Sequence, residues 1–202
     1  MANVGQAQAN AELILEFLEF VFLVPGSSRV GVLGAGTGQF LDYVPSAAVA
    51  DYQWTFTDIS PRFLRSLEHR IDEMELPGCQ FLIENIETSS ITIPFHATIV
   101  VLVLEHVDLQ LAISEIARLT QDWLLVVIQV NPEGMTSNVT PERVIPPSLI
   151  EGSKLTKSHL VDKEELCCSL SSRGLRLAKE ISKAVLDDKQ MLGLIFQMDA
   201  AA

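Results

Sequence analysis

The chain has 202 residues, which is enough for one domain with a full hydrophobic core. Hydrophobic residues make up 48% of it, which excludes an intrinsically disordered protein, and a formal net charge of −12 argues against a nucleic-acid partner. Its three cysteines lack metal-type spacing, so we expect reduced thiols, a cytoplasmic location and no metal site.

The first predicted element is an amphipathic helix within residues 1–24. Its apolar run, residues 12–24, is interrupted by Glu12, Glu16 and Glu19, so it is too short and too charged to span a bilayer. We therefore expect an N-terminal helical cap that docks on the domain, with no membrane partner. The apolar face of this helix is compatible with a homodimer.

Strands and helices then alternate, which predicts a parallel sheet with helices on both faces. Strands are predicted at 29–33, 54–57, 80–83, 98–104 and 123–130. Helices are predicted at 36–43, 60–74, 109–119 and 162–172. Residues 175–185 and 191–197 predict two strands joined by a tight turn. The expected fold class is α/β: a doubly wound, mostly parallel seven-stranded sheet with a C-terminal antiparallel hairpin.

Residues 131–158 interrupt this regular pattern. The segment is rich in proline and has little periodicity. A stretch of this length in a compact domain predicts a lid over a ligand or an insert. We expect it to belong to a single domain that spans residues 1–202.

Three glycines alternate in the turn after the first predicted strand: Gly34, Gly36 and Gly38. Glycine permits positive φ and lets a ligand approach the backbone, and the helix expected behind the turn presents free N–H groups. This pattern predicts a site for a nucleotide-like cofactor. A nicotinamide-binding turn requires glycine where Gln39 stands, so this residue disfavours the rival hypothesis of a nicotinamide-dependent reductase.

Polar residues follow the next three predicted strands. Asp58 ends the second strand, and its carboxylate offers two acceptors spaced for a vicinal diol. Asn85 follows the third strand, and the segment Leu104-Glu105-His106 ends the fourth strand. Together with the glycine turn and the terminal hairpin, this order resembles the class I S-adenosylmethionine-dependent methyltransferase family, from about residue 10 to 198.

The resemblance implies S-adenosylmethionine as the cofactor. The cofactor-binding residues that it implies are Gly34, Ala35, Gly36, Gly38, Asp58, Ile59, Asn85, Ile86 and Leu104. Asp58 would bind the ribose hydroxyls, Asn85 the adenine amine, and Ile86 the face of the adenine ring. The family usually has an acid two residues before the first glycine, and Val32 stands there in this chain. One charged contact with the methionine moiety is therefore missing.

The resemblance also implies in-line methyl transfer to a small-molecule acceptor, at oxygen or nitrogen. Such a reaction needs positioning and exclusion of water, and a base only where the acceptor must lose a proton. His106, just past the fourth predicted strand, is the candidate base, and Glu105 is the candidate group that orients an amine. Residues 131–158 would be the acceptor-binding lid. The alternative, which Val32 motivates, is a non-catalytic binding or scaffold protein of the same fold.

Overall fold

The computed structural model describes residues 5–76, 78–132, 160–186 and 188–199. The α-helices are α1 (Gln6–Phe20), α2 (Ser46–Val49), α3 (Pro61–Glu73), α4 (Leu109–Leu119) and α5 (Lys163–Ser171). The strands are β1 (Arg29–Leu33), β2 (Gln53–Asp58), β3 (Gln80–Ile83), β4 (Phe95–Val101), β5 (Thr120–Val130), β6 (Leu175–Ala184) and β7 (Gln190–Met198). Two 3₁₀ helices span Gln39–Tyr43 and Leu104–His106.

The strands form one seven-stranded sheet in the order β3-β2-β1-β4-β5-β7-β6. The pairs among the first five strands are parallel, whereas β7 is antiparallel to both β5 and β6. Because the strand order reverses between β1 and β4, a crevice is expected at the carboxyl ends of these strands. The predicted α/β fold class, with its C-terminal hairpin, is confirmed.

Helices cover both faces of the sheet because successive side chains of the central strands point to opposite sides. Ile99 and Leu125 belong to the core beneath α1 and α3, and their neighbours Val100 and Val126 belong to the core beneath α4 and α5. All four side chains are fully buried. The predicted N-terminal helix is α1, and its apolar face packs on the sheet. Within the described part of the chain, no helix has the length and apolar character needed to cross a membrane.

Two predicted boundaries next to the crevice were wrong. The fourth strand was expected to continue to Leu104, but it ends at Val101 because Leu102 adopts a φ of 56°. The helix predicted from Gly36 is instead a five-residue 3₁₀ helix that begins at Gln39. Its start is delayed because the preceding Gly38 has a φ of 67°, outside the right-handed helical region.

The predicted lid cannot be compared with the structure. Apart from Asn131 and Pro132, the segment 131–158 lies outside the described residues. That prediction therefore remains an expectation from sequence.

Candidate functional site

A cavity of about 540 Å³ opens at the carboxyl ends of β1, β2 and β4. Six of the residues that the sequence suggested line it: Gly34, Ala35, Gly36, Gly38, Asp58 and His106. The remaining lining residues come from α1, from Val32, from Thr37, Gln39 and Phe40, from Phe63, and from Val101 to Val103. The glycine turn thus lies at the cavity wall, and its contact with a cofactor remains a prediction.

The glycines of this turn are required for two different reasons. Gly34 has a φ of 70°, and a Cβ built there would lie 2.5 Å from Val103 Cγ2, so a side chain would be both strained and crowded. Gly36 has a φ of 58°, but a Cβ built there meets no atom within 4 Å. Gly34 is therefore needed for packing within the protein. Gly36 leaves its backbone open to the cavity, where a ligand can approach it closely.

Asp58 joins the glycine turn to the end of β2. Its carboxylate is 8% exposed, Oδ2 accepts a hydrogen bond from the Gly36 N–H at 2.9 Å, and Oδ1 accepts one from the Ser60 N–H at 2.8 Å. A carboxylate offers about four acceptor positions, so two remain for a ligand. Asp58 therefore orders the loop and still presents acceptors to the cavity.

The amino-terminal half of α1, predicted as a cap that docks on the domain, also forms a wall of the cavity. Gln6, Ala7 and Asn10, spaced three and four residues apart, face it from one side of the helix. Asn10 is 8% exposed, and its Oδ1 is buried without a hydrogen-bond partner. Val32, which is 1% exposed, also lines the cavity. The sequence signal for this wall is an amide side chain, Asn10, that stands within the apolar helix at the spacing of its buried residues.

Four residues expected to contact the cofactor lie outside the cavity lining. Ile59 is 68% exposed, whereas Ile86 and Leu104 are buried. Asn85 Oδ1 accepts a hydrogen bond from the Glu87 N–H at 2.9 Å, within its own loop. These residues follow β2, β3 and β4, so a ligand would have to extend beyond the cavity to reach them, and their contacts with a cofactor remain predictions.

The two candidate catalytic side chains lie in different environments. His106 is exposed and lines the cavity, held in a 3₁₀ turn in which its N–H donates to the Val103 carbonyl oxygen at 3.0 Å. Glu105 does not line the cavity: it is 5% exposed, and its Oε1 accepts a hydrogen bond from the Gln129 N–H of β5 at 3.4 Å. Neighbouring residues of a tight turn project in different directions, so only His106 faces a ligand.

Glu105 is a buried carboxyl with a perturbed pKa. Burial raises the pKa of this group above its usual 4.5, while the Gln129 N–H and the charge of Lys189 act in the opposite direction. Because the raised pKa means that the folded state binds the proton more tightly than the unfolded state, stability falls as the pH rises from about 4.5 through the folded pKa.

Replacing Glu105 with glutamine is expected to remove this part of the pH dependence. The wild-type free energy of unfolding should decline between pH 4.5 and the raised pKa more steeply than that of Glu105→Gln, because the variant has no proton to lose. Urea titrations at a series of pH values measure the difference. Glu68→Gln, at an exposed position of α3, is the control and should follow the wild type. Parallel curves for the wild type and Glu105→Gln would contradict the expectation.

Comparison with known proteins agrees with this architecture. Residues 30–122 match a family model described as a methyltransferase domain. The fold is similar to magnesium protoporphyrin IX methyltransferase from Synechocystis PCC 6803 with bound S-adenosylhomocysteine (TM-score 0.71, 16% identity, 96% of this chain and 84% of that chain). It is also similar to an S-adenosylmethionine-dependent methyltransferase from Aquifex aeolicus (TM-score 0.63, 13% identity, 95% and 91%).

A third similar structure is geranyl diphosphate C-methyltransferase from Streptomyces coelicolor A3(2) (TM-score 0.67, 12% identity, 93% of this chain and 76% of that chain). At these identities the structural likeness establishes the fold. A sequence search of curated proteins finds no match. Residues 30–122 thus match a methyltransferase domain, and the seven-stranded fold is the one shared by S-adenosylmethionine-dependent methyltransferases of known structure.

Proposed function

We propose that this protein transfers a methyl group from S-adenosylmethionine to an oxygen or nitrogen atom of a small molecule. The observation that carries the proposal is the convergence of Gly36, Asp58 and His106 on one cavity. These residues come from the ends of three parallel strands, where open α/β sheets bind their ligands. The cavity therefore combines an open backbone, a carboxylate and a candidate base.

The cavity residues fit S-adenosylmethionine. The remaining acceptor positions of the Asp58 carboxylate suit the two ribose hydroxyls, and the open side of Gly36 accommodates close approach of the cofactor. When bound, the cofactor supplies a methyl group on a positively charged sulfur, which is already an activated leaving group.

The contribution of the protein is then positioning and, for some acceptors, removal of a proton. Val101, Leu102 and Val103 give the cavity an apolar wall that excludes water from the acceptor. His106 lies at the rim of the same cavity, where its imidazole can accept a proton from the hydroxyl or amine of an acceptor. We propose His106 as the base and assign no contact with the acceptor to Glu105, because that carboxyl is turned away from the cavity.

A small acceptor is favoured by the charge of the chain. A net charge of −12 repels the phosphates of nucleic acids. Solved proteins of the same fold include methyltransferases named for magnesium protoporphyrin IX and for geranyl diphosphate, both small molecules. We infer a small organic acceptor, bound on the His106 side of the cavity.

Titration calorimetry with S-adenosylmethionine and S-adenosylhomocysteine tests the proposed cofactor. We expect dissociation constants in the micromolar range (about −8 kcal/mol), and the absence of heat at millimolar ligand would overturn the proposal. Incubation with methyl-labelled cofactor and a library of metabolites then tests transfer. Transfer to any member distinguishes an enzyme from the non-catalytic binding protein that Val32 also allows.

His106→Gln tests the role of the histidine once an acceptor is known. We expect kcat to fall by about 100-fold or more, since general-base catalysis contributes roughly two to four orders of magnitude. The affinity for S-adenosylhomocysteine should stay unchanged. His69→Gln, on the exposed face of α3, is the matched control. An unchanged kcat in His106→Gln would remove the histidine from the mechanism.

A further inference from the structure

The α1 wall of the cavity contains a buried polar atom that has no hydrogen-bond donor. Asn10 is more than nine-tenths buried, and its Oδ1 has no hydrogen-bond partner. Buried polar groups in proteins are nearly always hydrogen-bonded, and leaving an acceptor unpaired is unfavourable. Since Asn10 lines the cavity, a ligand there can supply the missing donor.

The position of α1 in the fold indicates which part of a ligand reaches Asn10. The helix packs against the 3₁₀ helix that follows the glycine turn and against β5, β6 and β7, so its sheet contacts lie on the side of β1 away from β2. Asp58 ends β2, on the other side of β1. A cofactor whose ribose is held by Asp58 therefore extends its amino-acid end, and not its adenine, toward Asn10.

The neighbouring residue Val32 makes this contact more important. Val32 lines the same cavity with an aliphatic side chain, which offers no acceptor to an amino group. The amide of Asn10 is a neutral acceptor with a strong local dipole, and hydrogen bonds from a charged donor are about twice as strong as those between neutral groups. Asn10 thus offers an ammonium group the hydrogen-bond acceptor that the Val32 side chain lacks.

We infer that Asn10 Oδ1 accepts a hydrogen bond from the α-ammonium group of the bound cofactor. Asn10 is thereby a binding residue that takes over, from a helix distant in sequence, the contact missing at Val32. The inference rests on the proposed function, because it assumes that S-adenosylmethionine or its product occupies the cavity. In this arrangement α1 binds the amino-acid part of the cofactor, and Asp58 binds the ribose at a separate position.

Two probes that differ only in the amino-acid part test the inference by calorimetry. S-Adenosylhomocysteine carries the α-ammonium, whereas 5′-deoxy-5′-methylthioadenosine retains the adenosine and sulfur and lacks it. Asn10→Leu is nearly isosteric and removes the acceptor. We expect it to weaken S-adenosylhomocysteine binding about 10- to 100-fold, the usual effect of a hydrogen bond to a charged group. Binding of methylthioadenosine should change less than twofold.

Two further variants keep the test decisive. Gln8→Leu, on the same helix but outside the cavity lining, is the matched control and should bind both probes as the wild type does. Asn10→Asp keeps an acceptor and adds a negative charge, so it should bind S-adenosylhomocysteine at least as tightly as the wild type. The apo form of Asn10→Leu should unfold at the wild-type temperature or above it, since an unpaired polar atom has been removed.

The outcomes separate this inference from the proposed function. If the wild type binds neither probe, the proposed function fails. If the wild type binds S-adenosylhomocysteine and Asn10→Leu retains that affinity, or loses affinity for both probes equally, the role of Asn10 is overturned while the proposed function stands. Loss of binding in Asn10→Asp together with Asn10→Leu would equally overturn it, because an acceptor would then be irrelevant.

Discussion

Asp58→Asn is expected to weaken the binding of S-adenosylhomocysteine by at least 100-fold. The carboxylate has acceptor positions left over for two ribose hydroxyls, and each hydrogen bond to a charged group contributes about 1.5–3 kcal/mol. Asparagine has no charge and only one acceptor atom, so it cannot serve the diol and the backbone together. Calorimetry with the wild type and the variant measures the loss directly.

The same substitution is expected to destabilise the protein in the absence of any ligand. Asp58 holds the Gly36 N–H with one oxygen and the Ser60 N–H with the other, and the amide nitrogen of asparagine cannot accept from either. We expect the free energy of unfolding to fall by about 1–3 kcal/mol, the cost of leaving one partly buried N–H unpaired. Urea titration without ligand provides the measurement.

Asp51→Asn is the matched control for both effects. Asp51 is exposed and precedes β2 at its amino end, whereas Asp58 stands at the carboxyl end of the same strand. The control makes the same change in charge, so it should retain wild-type stability and wild-type affinity. Equal losses in the two variants would attribute the effect to net charge and would contradict the assignment of Asp58 to the ribose.

Local physical rules explain why much of the fold could be predicted from the sequence. Ser60 and Pro61 begin α3 as expected: the Ser60 hydroxyl oxygen accepts from the Phe63 N–H at 3.3 Å. The apolar run of β4 and the alternating glycines of the turn can both be recognised from a short stretch of sequence, because each pattern involves only residues that are neighbours in the chain. Periodicity and turn chemistry therefore predicted the order of the elements and the glycine turn that forms part of the cavity wall.

The remaining features depend on contacts between residues far apart in sequence. The Glu105 carboxyl is buried and accepts a hydrogen bond from the Gln129 N–H of β5. Because Glu105 and His106 are adjacent in sequence, the sequence alone cannot show that their side chains lie in different environments. Asn10 Oδ1 is buried without a hydrogen-bond partner at the cavity that α1 and the glycine turn line together. β4 ends early, before Leu102, whose φ is 56° and whose N–H donates to the Val127 carbonyl oxygen of β5 at 3.0 Å. Such contacts are properties of the assembled sheet and have no local signature.

Gly36→Ala is expected to separate ligand binding from folding at the glycine turn. The added methyl group meets no protein atom within 4 Å, so the cost in stability is limited to the positive φ of 58°, about 1–2 kcal/mol. The same methyl group occupies space on the open side of the backbone, toward the cavity. We expect a 10- to 100-fold loss of affinity for S-adenosylhomocysteine, the scale of overpacking a close contact.

Gly26→Ala is the matched control for Gly36→Ala. Gly26 has a φ of 74°, and a Cβ built there also meets nothing within 4 Å, but Gly26 does not line the cavity. The two variants should therefore lose similar stability in urea titrations, while only Gly36→Ala loses affinity in calorimetry. Wild-type affinity in Gly36→Ala would mean that the ligand does not lie against the turn. Because Asp58 is hydrogen-bonded to Gly36, such a result would also contradict the assignment of the ribose to Asp58 and the proposed binding of S-adenosylmethionine in this cavity.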